Sequence, residues 1–231
     1  MLQYLIILIP LALITGPFLP DLIVVICNLL FLYIAFKHKL LIYFTNKISL
    51  SFFLYWLYLL ISSLLSDNII LSLESSLFYF RFGILCLAIS YCLNINNNFS
   101  KLFGFSLLSV FVFLNIDGYF QFFTGTNFFG QIYNSNRLSG VFGEEKILGS
   151  YLARLYPLLF GLMILNYKKS KFMIIFLMFV FISSDVLIYI TGERTAFIIL
   201  LISTLMLIVL INVWKILRIF TFSLSLCLIA F

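Results

Sequence analysis

Long apolar stretches follow one another with only short polar breaks, and that succession decides which solvent this chain can fold in. Crossing the hydrocarbon core of a bilayer takes about 20 mostly apolar residues in a helix. Eight such stretches are legible, at roughly residues 2–15, 20–36, 49–65, 77–93, 102–121, 147–166, 172–190 and 195–213, and a ninth begins near 219. Of 231 residues, 64% are hydrophobic and 10% charged, whereas about 25% are charged in an average soluble domain. The expected fold class is all-α: a polytopic transmembrane helical bundle of about eight to nine spans, forming a single transmembrane domain over residues 1–231. The first stretch is short and runs into Gly16, Pro17, Phe18, Leu19, Pro20 and Asp21, so spans one and two read as a helical hairpin. It has neither a basic leading region nor a small-residue cleavage site, and reads as a retained span.

Charge sets the expected orientation. Lys37, Lys39 and Lys47 flank the second loop, Lys101 the fourth, Lys168, Lys169 and Lys171 the sixth, and Lys215 with Arg218 the eighth. Asp21, Asp67, Glu74, Asp117, Glu144, Glu145, Asp185 and Glu193 lie in odd-numbered loops or near the other ends of spans. Basic residues collect on the cytoplasmic side of membrane proteins, which predicts an inside N-terminus and odd loops outside. The formal net charge of +6 is then a topology signal. No loop holds a folded basic domain, which argues against nucleic acid as a partner. Cys27, Cys86, Cys92 and Cys227 all fall in predicted spans, where a thiol acts as a small apolar group. His38 stands alone between two lysines, and no zinc site can be built from it.

One connection is long. The outer loop at about 122–146 far exceeds the usual connection of about 4–6 residues. Gly125, Gly130, Gly140 and Gly143 permit sharp turns in it. Asn127, Gln131, Asn134 and Asn136 offer paired donors and acceptors suited to sugar hydroxyls, and Phe128, Phe129 and Tyr133 offer faces for sugar rings. An ordinary interfacial loop carrying the aromatic belt is the other reading.

Arginine is distributed differently from lysine. Eight of nine lysines fall on the predicted inner side, whereas Arg81, Arg137, Arg154 and Arg194, four of five arginines, fall on the outer side. A guanidinium fork grips phosphate and pyrophosphate in a way an ammonium cannot. Arg81 and Arg154 fall about 6 Å and about 10 Å inside the outer ends of their spans. There they either face a wet cavity, or snorkel to headgroups or pair with Asp185 or Glu74. Arg194 follows the turn Thr191, Gly192, Glu193, so it opens a helix whose positive end already disfavours a cation. An anionic ligand on the first-turn amides would compensate, and so would pairing with Glu193 or Asp185. Pro157 and Gly161 interrupt the sixth span just after Arg154. A kink there either opens a pocket beside Arg154 or serves packing alone.

Three segments together resemble a family. Asp117 to Gly130, reading DGYFQFFTGTNFFG, is similar to the stretch ahead of the main motif of O-antigen ligases and O-antigen polymerases. Arg137 to Leu152, followed by Pro157, resembles their arginine, glycine, aromatic signature leading into a helix. Thr191, Gly192, Glu193, Arg194, Thr195 and Ala196 resemble their second motif. The resemblance implies a GT-C-like, metal-independent glycosyltransferase without a cofactor, placed in the bacterial inner membrane. Its donor would be an undecaprenyl-pyrophosphate-linked glycan and its acceptor a glycan or a lipid A-core, met at the periplasmic face among membrane lipids. Arg137 and Arg194 match the family's arginines that hold the pyrophosphate, and Glu145 or Glu144 would orient or deprotonate the acceptor hydroxyl. Arg81, Arg154, Gln121, Asn127, Asn136 and Glu193 make up the expected substrate-binding set. The chain departs from the family at Gly143, Glu144, Glu145 and Lys146, where many members carry an Asn-Pro-Asn-like run. It also stops at Phe231 inside an unfinished apolar run, so a C-terminally incomplete bundle is expected. A transporter or flippase of an anionic lipid-linked glycan and a non-catalytic assembly subunit are the alternatives.

Overall fold

Helices account for 80% of the computed structural model, which describes residues 1–132, 137–167 and 170–230. No strand occurs among those residues, only an isolated bridge between Thr126 and Ile132. Among the described residues, six helical segments are long and apolar enough to cross a membrane: Phe18–Lys37, Lys47–Leu64, Ile69–Ile95, Phe99–Thr124, Leu148–Tyr167 and Lys171–Ile190. Leu2–Ala12 and Arg194–Leu210 are shorter apolar helices. The chain divides into two compact units, Met1–Phe99 and Ser100–Phe231.

In the first unit, α1 (Leu2–Ala12) packs on α2 (Phe18–Lys37) through a tight turn at Gly16, whose φ is 110°. At 1.5 Å per residue α1 reaches only about 16 Å. It therefore forms a hairpin arm shorter than the span expected there. α3 (Lys47–Leu64) is followed by α4 (Ile69–Leu77) and α5 (Phe80–Ile95). The apolar run lengths predict a connection at 66–76; that segment holds α4 instead. Its serines turn inward: the Ser63 hydroxyl donates to Ser76 Oγ at 2.9 Å and that of Ser66 to Ser72 Oγ at 2.8 Å. The Trp56 indole donates to the Ser76 carbonyl at 3.1 Å. These bonds fold α4 back against α3 while Ile69, Ile70, Leu71 and Leu77 stay exposed.

In the second unit, α6 (Phe99–Thr124) is about 39 Å long and takes in the first three residues of the expected outer loop. It packs on α8 (Lys171–Ile190), with Asn115 Nδ2 donating to Ser184 Oγ at 2.8 Å and the Tyr119 hydroxyl to the Ser183 carbonyl at 2.8 Å. α7 (Leu148–Tyr167) lies along both α8 and α9 (Arg194–Leu210). Leu152, Tyr156, Phe160, Phe181, Leu187 and Leu200 are buried between them. Pro157 sits inside α7 without ending it.

Arg218 overturns one part of the topology reading. It belongs to α10 (Lys215–Ala230), is 0% exposed, and forms a two-pronged ion pair with Asp185 of α8, at 2.7 and 3.2 Å. It also donates to the hydroxyls of Tyr156 and Thr204, while the Ser225 hydroxyl donates to Asp185 at 3.1 Å. Trp214, in the α9–α10 turn, packs edge-on against Phe160 at 6.2 Å, short of the end of α7 at Tyr167. An arginine sealed among four helices is a packing element and marks no aqueous loop. Only Lys215 remains as the basic signal of the eighth loop.

Candidate functional site

The long loop is built from the last turns of α6. Asp117 and Gln121, both 0% exposed, stand one turn apart on one face of that helix. Asp117 Oδ1 accepts from the Phe128 amide at 3.1 Å, and Gln121 Oε1 from the Gly140 amide at 2.7 Å. Asn127 knits the rest: its Nδ2 donates to the Gly140 carbonyl at 2.7 Å and to Gln131 Oε1 at 2.8 Å, and its Oδ1 accepts from the amides of Phe129 and Gln131. Phe128 stacks on Phe120 at 4.7 Å. Gly140 has φ 55°, and a Cβ there would lie 3.1 Å from Asp117 Oδ2 and 3.2 Å from Leu148. Both its conformation and its close approach call for glycine.

One backbone bond joins this loop to the α8–α9 turn, and the Glu193 side chain joins that turn to α7. The Leu138 amide donates to the Thr191 carbonyl at 3.4 Å. Glu193, 6% exposed, accepts from the amides of Gly149 at 2.9 Å and Ser150 at 3.1 Å, and from the Ser150 hydroxyl. A carboxylate on the first amides of a helix meets otherwise unpaired donors and the positive end of its dipole. Gly149 makes the approach possible, since a Cβ there would lie 2.5 Å from Thr191 Oγ1.

Arg137 precedes Leu138, Arg194 follows Glu193, and Arg154 stands one turn beyond Ser150. The same two links therefore bring all three backbones to one end of the second unit. All three side chains are exposed, and among the described residues none forms an ion pair or hydrogen bond. Glu144 and Glu145 are exposed at the same end, just before α7. Such an end presents guanidinium forks and a carboxylate to solvent, a set suited to a polyvalent oxyanion beside a hydroxyl group. Among the described residues no group of three or more His, Cys, Asp or Glu could hold a metal.

Other expected site residues are used differently. Gln121 and Asn127 spend their amides on the loop's own backbone and are buried, so neither presents a donor to a sugar. Glu193 is likewise turned inward, onto α7, and among the described residues it pairs with no arginine. Asn136, with Tyr133 and Asn134, lies outside the described residues. Arg81 belongs to the first unit, where it pairs with Asp21 at 3.1 Å rather than with Glu74. Its carbonyl accepts from Asn28 Nδ2 at 2.8 Å. Near Pro157 there is an apolar groove of about 410 Å³, bounded mainly by Ile199, Ile202, Met206 and Leu210 of α9. Arg154 does not line it, though it shares a face of α7 with Pro157.

The Asp185–Arg218 pair is not among the sequence expectations. Its signal was present: Asp185 interrupts an apolar span, and a charge in such a position is expected to find a partner within the bundle. Asp117 reads in the sequence as an orientation charge and as part of a motif; in the fold it anchors the loop through the Phe128 amide.

Fold and site together define an all-helical membrane protein with a cationic end assembled by one loop and two helix starts. Compared with protein-family profiles, characterised proteins and solved structures, the chain gives no match.

Proposed function

We propose that this chain is a metal-independent glycosyltransferase of the O-antigen ligase or polymerase type. It moves an undecaprenyl-pyrophosphate-linked glycan onto a glycan or lipid A-core acceptor at the periplasmic face of the inner membrane. The observation that supports this reading is that the Leu138–Thr191 bond and the Glu193 clamp on α7 bring the segments that carry Arg137, Arg154 and Arg194 to one end of the second unit, with all three side chains exposed. As the anomeric C–O bond breaks, negative charge grows on the departing pyrophosphate, and guanidinium groups held ready for it lower the barrier. Glu145 is the group offered to the acceptor hydroxyl, which needs a base within hydrogen-bond reach. The inside N-terminus, the count of eight to nine spans and the GT-C-like arrangement belong to this proposal.

Purified protein incubated with a polyprenyl-pyrophosphate glycan and an acceptor tests the reading. Release of the pyrophosphate lipid together with a longer glycan supports it, whereas movement of the intact donor across vesicles without bond cleavage points to a transporter or flippase. Arg137→Lys and Arg194→Lys keep the charge but lose the fork. Each is expected to reduce transfer about 100-fold or more with unchanged membrane insertion. Full activity in both would remove the pyrophosphate clamp.

A further inference from the structure

The first unit carries a groove that the proposed reaction does not use. α3 and α5 run antiparallel and leave between them an apolar trough of about 580 Å³, within the roughly 300–1,000 Å³ of small-molecule sites. Phe52 forms part of its wall by lying across α5 at Gly83, where a Cβ would meet the ring at 2.2 Å. At one end Trp56 and Phe80 pack at 5.8 Å, and the indole is tied to Ser76 of α4. At the other end the lining finishes with Phe44 and Ile48, on either side of the exposed Lys47 that starts α3. From Ile48 to Trp56 the trough runs about 12 Å along α3.

Charge distinguishes the two ends. Phe44 stacks on Phe31 of α2 at 6.1 Å, which brings the end of α2, with exposed Lys37 and Lys39, to the Lys47 end of the unit. The unit's carboxylates, Asp21, Asp67 and Glu74, are all placed toward the opposite end: in the first turn of α2, just after α3, and in α4. One end of an aromatic trough is therefore basic without a compensating acid.

We propose that this trough is a binding site for an anionic phospholipid, one acyl chain lying between α3 and α5 and the phosphate among Lys37, Lys39 and Lys47. The apolar walls take the chain by burial alone, and the lysines select the headgroup. Each lysine near an anionic lipid surface contributes about a fivefold preference. The site stands on the first unit alone and does not depend on the glycosyltransferase reading.

Native mass spectrometry of the full chain with equal amounts of phosphatidylglycerol and phosphatidylcholine of matched acyl chains provides the test. Phosphatidylglycerol is expected to be retained about fivefold or more over phosphatidylcholine, and Lys47→Gln to reduce that preference about fivefold. Cys86 lines the trough and is exposed, as is Cys227, while Cys27 and Cys92 are buried. In a Cys227→Ser chain, phosphatidylglycerol should slow maleimide labelling of Cys86 several-fold, and less so when Lys39→Gln and Lys47→Gln are combined. Lys39 and Lys47 are exposed, so their replacement does not threaten folding. Equal retention of the two lipids, undiminished preference in the lysine variants, or protection of Cys86 only in a dimer of this chain would each overturn the proposal.

Discussion

At the scale of single residues, charge in this protein does two separate jobs. Arg218 is sealed with Asp185, and its fork is matched by two carboxylate oxygens and two hydroxyls. Arg137, Arg154 and Arg194 remain exposed. A buried pair adds little over a well-packed apolar substitute, but removing one partner strands the other charge. Asp185→Leu or Arg218→Met alone is therefore expected to destabilise the second unit by about 3–5 kcal/mol, and the double variant to recover most of that loss. Thermal unfolding in detergent measures it, and near-neutral single variants would show that the pair is not held as described. Both residues were legible as charges in or beside apolar runs. Their partnership was not, because α8 and α10 are separated by the whole of α9 in sequence.

At the scale of elements, the outer loop is held by side chains of the helix before it. Gln121 and Asn127 read as polar groups available to a substrate, since a sequence shows donors and acceptors without showing which backbone groups they must satisfy. Replacing Gln121 by Leu leaves the buried Gly140 amide without its acceptor, at a cost of about 1–3 kcal/mol. Limited proteolysis is expected to cut the 125–147 region faster in Gln121→Leu than in the parent chain, and equal rates would deny Gln121 its anchoring role. α4 shows the converse. The apolar runs place a connection at 66–76, yet Ser76 bonds to Ser63 of α3 and Ser72 to Ser66 just beyond it, and the segment folds as a helix against α3.

At the scale of the whole molecule, apolar run lengths predict membrane-crossing helices and lysine placement predicts their orientation. α7 is apolar enough to cross a membrane, so its flanks should meet opposite compartments. In a cysteine-free background, Glu145→Cys is expected to react with a membrane-impermeant maleimide from outside intact cells, and Ser170→Cys only after the membrane is opened. Reaction of both from the same side would exclude α7 as a span. Hydrophobic run length and the counting of lysines act locally along the chain, so the sequence alone determined the helical class, the long connection after α6, and the arginines set apart from lysine. Which arginines stand together, which one is buried, and which carboxylate caps a helix depend on contacts between residues far apart in the chain. Glu193 reaching the α7 amides and Arg218 reaching Asp185 exist only once the helices have packed, because only packing tells each charge which partner it must meet out of water.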